Sequence, residues 1–278
     1  MQKTISYIKE SLKAYYPESE ISGFTRIIIG HITNMSYPQA LINAEELTSD
    51  KRVVLELIID RLKVYEPIQH IIGETEFFGM PITVNKDVLI PRPETEELVE
   101  IILNENPFAD LKILDIGTGS GAIAIALAKH LKGVAISAWD ISDEALIIAQ
   151  QNAIKNNVTV SFSKADVLDI IPTAERFDII VSNPPYILER EKKDMEQNVL
   201  NYEPHIALFV SNDNPLLFYE RIADIALKLL NPNGKLYFEI NRAKGEETIK
   251  MLEDKGFIEI SMFQDLSQND RMVRAQIR

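Results

Sequence analysis

The stretch Ile113-Leu114-Asp115-Ile116-Gly117-Thr118-Gly119-Ser120-Gly121-Ala122-Ile123 decides how the chain is read. A short apolar run breaks into a turn with glycine at every second position, then into a helical stretch, Ala122–His130. Glycines there reach positive φ and let backbone approach a ligand closely, with the helix N-terminus facing it. Gly117-x-Gly119-x-Gly121 lacks the third-glycine position of Gly-x-Gly-x-x-Gly, and Asp115 precedes it, which argues against a pyrophosphate cradle. An acid beside the loop repels phosphate and suits a positively charged ligand. A tight strand-to-helix turn with no ligand would use the same glycines.

Downstream the pattern repeats. Short apolar strands are predicted at Lys112–Ile116, Ala135–Trp139, Val160–Lys164, Asp178–Val181, Lys235–Ile240, Ile258–Gln264 and Met272–Ile277, with helical stretches between them. Nearly continuous apolar strands alternating with helices imply a parallel sheet covered on both faces. Only Leu266–Arg271 separate the last two strands, too few for a crossover helix, so that pair is expected as an antiparallel hairpin. The fold class is α/β: a doubly wound, mostly parallel sheet with a terminal antiparallel strand.

Upstream, helices are predicted at Thr4–Tyr15, at Phe24–Thr33 after Gly23, and from Ser49-Asp50 onward. In the last, Val53, Val54, Leu57, Ile58, Arg61 and Leu62 recur at helical spacing, with Ser49 or Asp50 as N-cap. Glu76–Val84 changes period, aromatic and β-branched residues flanking a Gly79-Met80-Pro81 turn, and reads as a β-hairpin. Pro91-Arg92-Pro93-Glu94-Thr95-Glu96-Glu97 then stops the strand and starts a helix. The expected organisation is a small helical domain over 1–75, a hairpin linker over 76–90 and an α/β domain over 91–278.

The chain of 278 residues is 46% hydrophobic, enough for two buried cores. It has no cysteine and only four histidines, scattered singly, which excludes disulfides and thiolate chemistry and argues against any metal site. No window approaches a membrane span, and the N-terminus opens into an amphipathic helix, so a cytoplasmic protein without membrane contact is expected. A net charge of −13 disfavours direct nucleic-acid binding.

Two groups of residues complete a candidate site. Asp140, at the end of the second predicted strand, is placed to accept ribose hydroxyls, Asp166 to accept an adenine amino group, and Val167 to cover a ring face. With Gly117, Thr118, Gly119, Ser120 and Gly121 they suit S-adenosylmethionine, which carries an ammonium and a sulfonium. The second group is Asn183-Pro184-Pro185-Tyr186, delivered by a buried strand and held extended by its prolines. An amide-like nitrogen is a poor nucleophile. Acceptors aimed at both its N–H groups orient it and stabilise the positive charge that develops there. The Asn183 side-chain oxygen and the Pro184 carbonyl are the expected pair, Pro185 shapes the pocket, and Tyr186 would stack on the flat acceptor group. This reading specifies methyl transfer to a planar nitrogen and leaves adenine and glutamine both open.

Asn183–Tyr186 resembles the signature of methyltransferases acting on exocyclic nitrogens. More of the chain resembles the release factor glutamine methyltransferases: Glu66–Gly73, Phe77-Phe78-Gly79, Leu89–Glu96, the glycine loop and Tyr202–Leu208. The resemblance implies a Rossmann-like class I methyltransferase fold with an N-terminal substrate-recognition domain. It places S-adenosylmethionine at Gly117–Gly121, Asp140, Asp166-Val167 and Asn183, and the substrate glutamine at Asn183–Tyr186. The implied partners are bacterial class 1 peptide chain release factors, methylated on the glutamine of their Gly-Gly-Gln motif. Two departures stand out: Val167 where an aromatic often packs, and Glu239-Ile240-Asn241-Arg242 where Glu-x-Gly is usual, which leaves the loop shape there open.

Overall fold

The computed structural model describes residues 1–43, 45–169 and 173–278. Its contacts divide the chain into two units, Met1–Gly73 with Glu196–Tyr202, and Glu74–Met195 with Glu203–Arg278.

The first unit opens with α1 (Gln2–Leu12), α2 (Glu18–Thr33), α3 (Tyr37–Asn43), α4 (Ser49–Lys63) and α5 (Ile68–Ile72). Ile5, Ile8 and Leu12 of α1, Ile21, Ile28, Ile29 and Ile32 of α2, and Leu55, Ile58, Ile59 and Leu62 of α4 form one core. The sequence reading starts and ends α1 later, at Thr4 and Tyr15, and omits α3 and α5, and three further details differ. α2 runs straight through Gly23, because Ile21 and Thr25 are buried on either side and their packing outweighs the roughly 1 kcal/mol helical cost of glycine. The predicted α4 is rotated: Val53, Val54 and Leu57 are exposed and the stripe through Leu55 and Ile59 is inward. Its N-cap is Thr48, with no side-chain cap bond, instead of Ser49 or Asp50.

The second unit begins with the hairpin β1 (Glu74–Phe77) and β2 (Met80–Thr83). Its turn is Phe78-Gly79, both at positive φ (50° and 72°), the geometry that matches strand twist in two-residue hairpins, and Met80-Pro81 already belong to β2. Phe77, Met80 and Ile82 are buried in the core of this unit, so the segment expected as a linker is part of the α/β body. Asn152 fixes it there, accepting the Thr83 N–H (2.7 Å) and donating to the Thr83 carbonyl (3.0 Å). There follow α6 (Pro93–Glu105), β3 (Lys112–Ile116), α7 (Ala122–His130), β4 (Ala135–Asp140), α8 (Asp143–Lys155), β5 (Ser161–Lys164), β6 (Phe177–Ser182) and β7 (Ile187–Leu188). After a 3-10 turn at Glu189–Asp194 come α9 (Gln197–Tyr202), α10 (His205–Leu208), β8 (Phe209–Val210), α11 (Leu217–Leu229), β9 (Leu230–Glu239), α12 (Gly245–Asp254), β10 (Ile258–Gln264) and β11 (Asp270–Gln276). α9 groups with the helices of the first unit, where the Tyr202 hydroxyl donates to the Val64 carbonyl (2.9 Å).

Among the described residues the main sheet has seven strands in the order β10-β11-β9-β6-β3-β4-β5. β11 runs antiparallel to both neighbours and the remaining pairs are parallel, the doubly wound sheet with a reversed terminal strand that the sequence predicts. Alternation within β3 separates its two faces. Ile113 packs among α6, α7 and α8, while Leu114 and Ile116 pack among α11 and α12. The chain reverses direction of winding at β3, between β4 on one side and β6 on the other, and ligands of open α/β sheets bind beyond the carboxyl ends at such a point.

Candidate active site

Register aligns the site. Ile116 pairs with Trp139 and with Ser182, so the next residues, Gly117, Asp140 and Asn183, leave three adjacent strands at one edge. A cavity of about 270 Å³ opens there, lined among others by Gly117, Gly119, Asp140, Asp166, Val167, Asn183, Pro184 and Pro185. Further walls come from Asp87-Val88-Leu89, Pro204, Ile206-Ala207 and Phe218, none of which the strand-end logic singles out.

The glycine loop divides by task. A Cβ on Gly117 or Gly119 (φ 73° and 54°) would meet nothing within 4 Å, so these two positions leave open space on the cavity side. Gly121 answers to packing: a Cβ there would stand 3.1 Å from the side chains of Ala149 and Ile125, where α7 meets α8. Thr118 and Ser120 are buried and absent from the cavity lining; the Thr118 carbonyl accepts the Gly121 N–H (2.8 Å), and the Ser120 carbonyl accepts Asn152 Nδ2 (2.9 Å). They shape the loop from beneath.

Asp140 accepts the Gly119 N–H on Oδ2 (2.8 Å) and the Ser142 N–H on Oδ1 (3.0 Å). Burial raises its pKa above the ordinary carboxylate value, against these bonds. The residue lines the cavity, and a carboxylate has acceptor sites beyond these two bonds. Asp166 is exposed at the rim, its Oδ1 capping the Leu168 N–H (2.8 Å), and Val167 is held through its carbonyl by Arg221 Nε (2.7 Å).

Asp115 departs from the sequence expectation of an acid facing the ligand. It lies on the Ile113 side of β3, beneath the loop and fully buried, and its Oδ2 accepts the Thr118 hydroxyl (2.6 Å). Burial pushes its carboxyl up to about 7. The folded chain therefore binds a proton that the unfolded chain, at the ordinary aspartate value of 3.8, has already lost. This group's contribution is full below the unfolded pKa and fades as pH rises through about 7. Asp115→Asn is expected to escape that loss, so its melting temperature relative to the parent climbs between about pH 5 and about pH 8. A difference flat with pH would give Asp115 an ordinary carboxyl.

At the reacting end, Asn183 Nδ2 donates to Glu239 Oε2 (2.9 Å) and Thr95 Oγ1 (3.3 Å). Glu239 also accepts the Thr95 hydroxyl (2.6 Å) and the Tyr186 hydroxyl (3.0 Å). Three donors thus converge on one carboxylate that is 1% exposed. Burial raises the Glu239 pKa, while the hydroxyls of Thr95 and Tyr186 and the charge of Arg271 favour the ionised form. With Nδ2 committed, Oδ1 is the atom of Asn183 left to serve a ligand; among the described residues neither it nor the Pro184 carbonyl accepts a hydrogen bond. Tyr186 is turned toward Glu239 and is not part of the cavity lining, and burial together with the Glu239 charge pushes its phenol far up. Its hydroxyl is a neutral donor.

The family model described as the PrmC N-terminal domain matches residues 4–73, and the methyltransferase small domain matches residues 94–205. Across 274 residues the chain is 44% identical to the release factor glutamine methyltransferase of Flavobacterium psychrophilum, covering 97% of this chain and 96% of that one. The chain belongs to the release factor glutamine methyltransferase family. Its counterpart in Bacteroides thetaiotaomicron is 44% identical over 277 residues, covering 99% of both chains. The crystal structure of a methyltransferase from Pyrococcus furiosus shares the fold at 17% identity, with a TM-score of 0.53 over 82% of this chain and 98% of that one.

Membership makes the chain a methyltransferase, and the geometry gives a role to two residues of the Glu239–Arg242 stretch that carried no role in the predicted site. Glu239 is a lone acid in the buried run Leu236-Tyr237-Phe238-Glu239-Ile240, and the pairing Ser182–Phe238 sets it beside Asn183. That juxtaposition of strand ends was the available signal. Asn241, the departure from the family glycine, donates through Nδ2 to the Tyr186 carbonyl (3.0 Å) and to Glu191 Oε2 (3.3 Å). It has no positive φ, so the loop does not need glycine here, and the asparagine adds a brace under Tyr186. Among the described residues no helix is long and apolar enough to cross a membrane.

Proposed function

We propose that the chain transfers a methyl group from S-adenosylmethionine to the side-chain amide of the glutamine in the Gly-Gly-Gln motif of bacterial class 1 peptide release factors, giving N5-methylglutamine. The observation that carries this is the bracing of Asn183, whose Nδ2 is held inward by Glu239 and Thr95 and whose Oδ1 is kept for an acceptor's N–H. When bound, the cofactor supplies a methyl group on a positively charged sulfur. Gly117 and Gly119 provide open space beside the loop, Asp140 offers oxygens for the ribose, and Asp166 and Val167, which line the same cavity, would receive the adenine. Thr118, Ser120 and Gly121 support that loop without lining the cavity.

Asn183 Oδ1 and the Pro184 carbonyl orient the acceptor amide and meet the positive charge that builds on its nitrogen, with Pro185 fixing the wall. No base is needed beforehand, because the nitrogen becomes acidic as it alkylates and then gives its proton to water. Tyr186 acts through Glu239 in this reading, a change from the stacking role expected from sequence. The helical unit over 1–73 recognises the protein substrate, and the acidic charge of the chain, −13, argues for a protein partner over nucleic acid. The setting is cytoplasmic, where release factors act.

Purified protein with labelled S-adenosylmethionine is expected to label a release factor, and replacing the Gly-Gly-Gln glutamine is expected to abolish the label. Labelling that persists on that variant, or appears on an RNA instead, overturns the substrate assignment.

A further inference from the structure

Glu203 is buried in a place where a carboxylate is costly, and nothing in the methyl-transfer reading so far uses it. Its side chain is 1% exposed. Oε1 accepts Arg92 Nη2 (2.6 Å), and Oε2 accepts the Ile90 N–H (3.2 Å). The pair joins two segments 111 residues apart in the chain. Each segment carries a wall of the cavity. Val88 and Leu89 precede Ile90 and Arg92, and Pro204, Ile206 and Ala207 follow Glu203, all lining the one cavity that Asn183, Pro184 and Pro185 share with Gly117 and Asp140.

Prolines stiffen both sides of the junction: Arg92 stands between Pro91 and Pro93, and Pro204 follows Glu203. Arg92 is also the N-cap residue of α6, three positions before Thr95, which bonds Glu239. Its positive charge is felt at the Tyr186 phenol. The start of α6 is therefore tied at one point to the Asn183 brace and at another to the segment after Glu203.

We propose that the Arg92–Glu203 ion pair is a positioning device for the acceptor: it sets the spacing between the 87–90 and 204–207 walls, and so the fit of the side chain presented to Asn183. Arg92 and Glu203 touch neither acceptor nor cofactor in this account. They act through the walls they hold. The inference rests on the methyl-transfer reading above, and the nature of the acceptor is its subject.

The test uses the full chain, with release factor as acceptor and S-adenosylhomocysteine as the probe of the cofactor site. Parent enzyme that labels the release factor secures the underlying reading before any variant is compared; parent enzyme that does not label it defeats that reading and this inference with it. Glu203→Gln keeps size and removes charge, and Arg92→Lys keeps charge while removing the fork. Glu203→Gln is expected to lower kcat/KM for the release factor by about a hundredfold, the scale of an ångström of misplacement, with S-adenosylhomocysteine affinity near that of the parent. Arg92→Lys is expected to recover much of that loss relative to Arg92→Ala. Unchanged kcat/KM in Glu203→Gln overturns the proposal. So does a loss of S-adenosylhomocysteine affinity matching the loss of turnover, which would make the pair a general support of the fold. If Glu203→Gln does not fold, Arg92→Lys against Arg92→Ala decides alone: equal activity in the two counts against the device.

Discussion

Asn183→Ala is expected to lower turnover by roughly 10²–10³-fold, the range found when a single group facing developing charge is removed. Cofactor affinity should change far less, because Oδ1 works on charge that is small in the ground state and large in the transition state. Asn183 does line the cavity, so some loss of affinity is expected. The diagnostic quantity is the ratio: single-turnover rates at saturating cofactor against a dissociation constant measured by calorimetry. Equal losses in both would make Asn183 chiefly a cofactor ligand, and the acceptor role would then have to fall on the Pro184 carbonyl.

Glu239→Gln is the second large effect and separates bracing from chemistry. The carboxylate presents acceptors to Thr95, Tyr186 and Asn183 at once. A glutamine has one acceptor oxygen; the Tyr186 hydroxyl can turn to accept from its NH₂, but an NH₂ turned the other way meets Asn183 Nδ2, which can only donate. The amide of Asn183 is then free to turn over, bringing Nδ2 where Oδ1 belongs, a donor aimed at a donor. Turnover is expected to fall by about 10²-fold through misorientation, although Glu239 never meets the substrate. Glu239→Asp, which preserves the acceptors on a shorter stem, should retain more activity than Glu239→Gln. The reverse order, measured as kcat at saturating cofactor and acceptor, would exclude the bracing role.

How far the sequence spoke depended on whether a residue's partners were local. The strand-turn-helix at 112–130 was legible because period, glycine spacing and helix start all sit in one window, and β3 and α7 fall where they were read. The strand-end residues Asp140 and Asn183 followed from the same logic. Glu239 did not, since its meaning comes from Thr95, 144 positions away, and from Asn183, 56 away. Asp115 was misplaced for a related reason: strand alternation turns it toward α7, and sequence order alone cannot say which face a ligand occupies. Thr118 and Ser120 are read with the cofactor residues as members of the loop, and their burial off the cavity lining is a detail that sequence order does not carry. In the helical unit, α4 is apolar around much of its circumference, so period identified the helix and left its buried stripe ambiguous.

The order β10-β11-β9-β6-β3-β4-β5 leaves two strands with an open side, and those sides govern how molecules of this protein behave toward one another. A bare row of N–H and C=O groups invites another chain to add a strand. β5 answers with brevity and polarity: Ser161-Phe162-Ser163-Lys164, a four-residue strand with only Phe162 partly shielded. β10 is longer, but its pairing with β11 is broken between Ile258 and Ser261 and again between Phe263 and Gln264, with Glu259 at positive φ inside the first break. Such irregularities twist an edge away from the flat geometry that stacking needs. Both sheet margins are thus unattractive to copies of the same chain, which favours staying dispersed at high concentration.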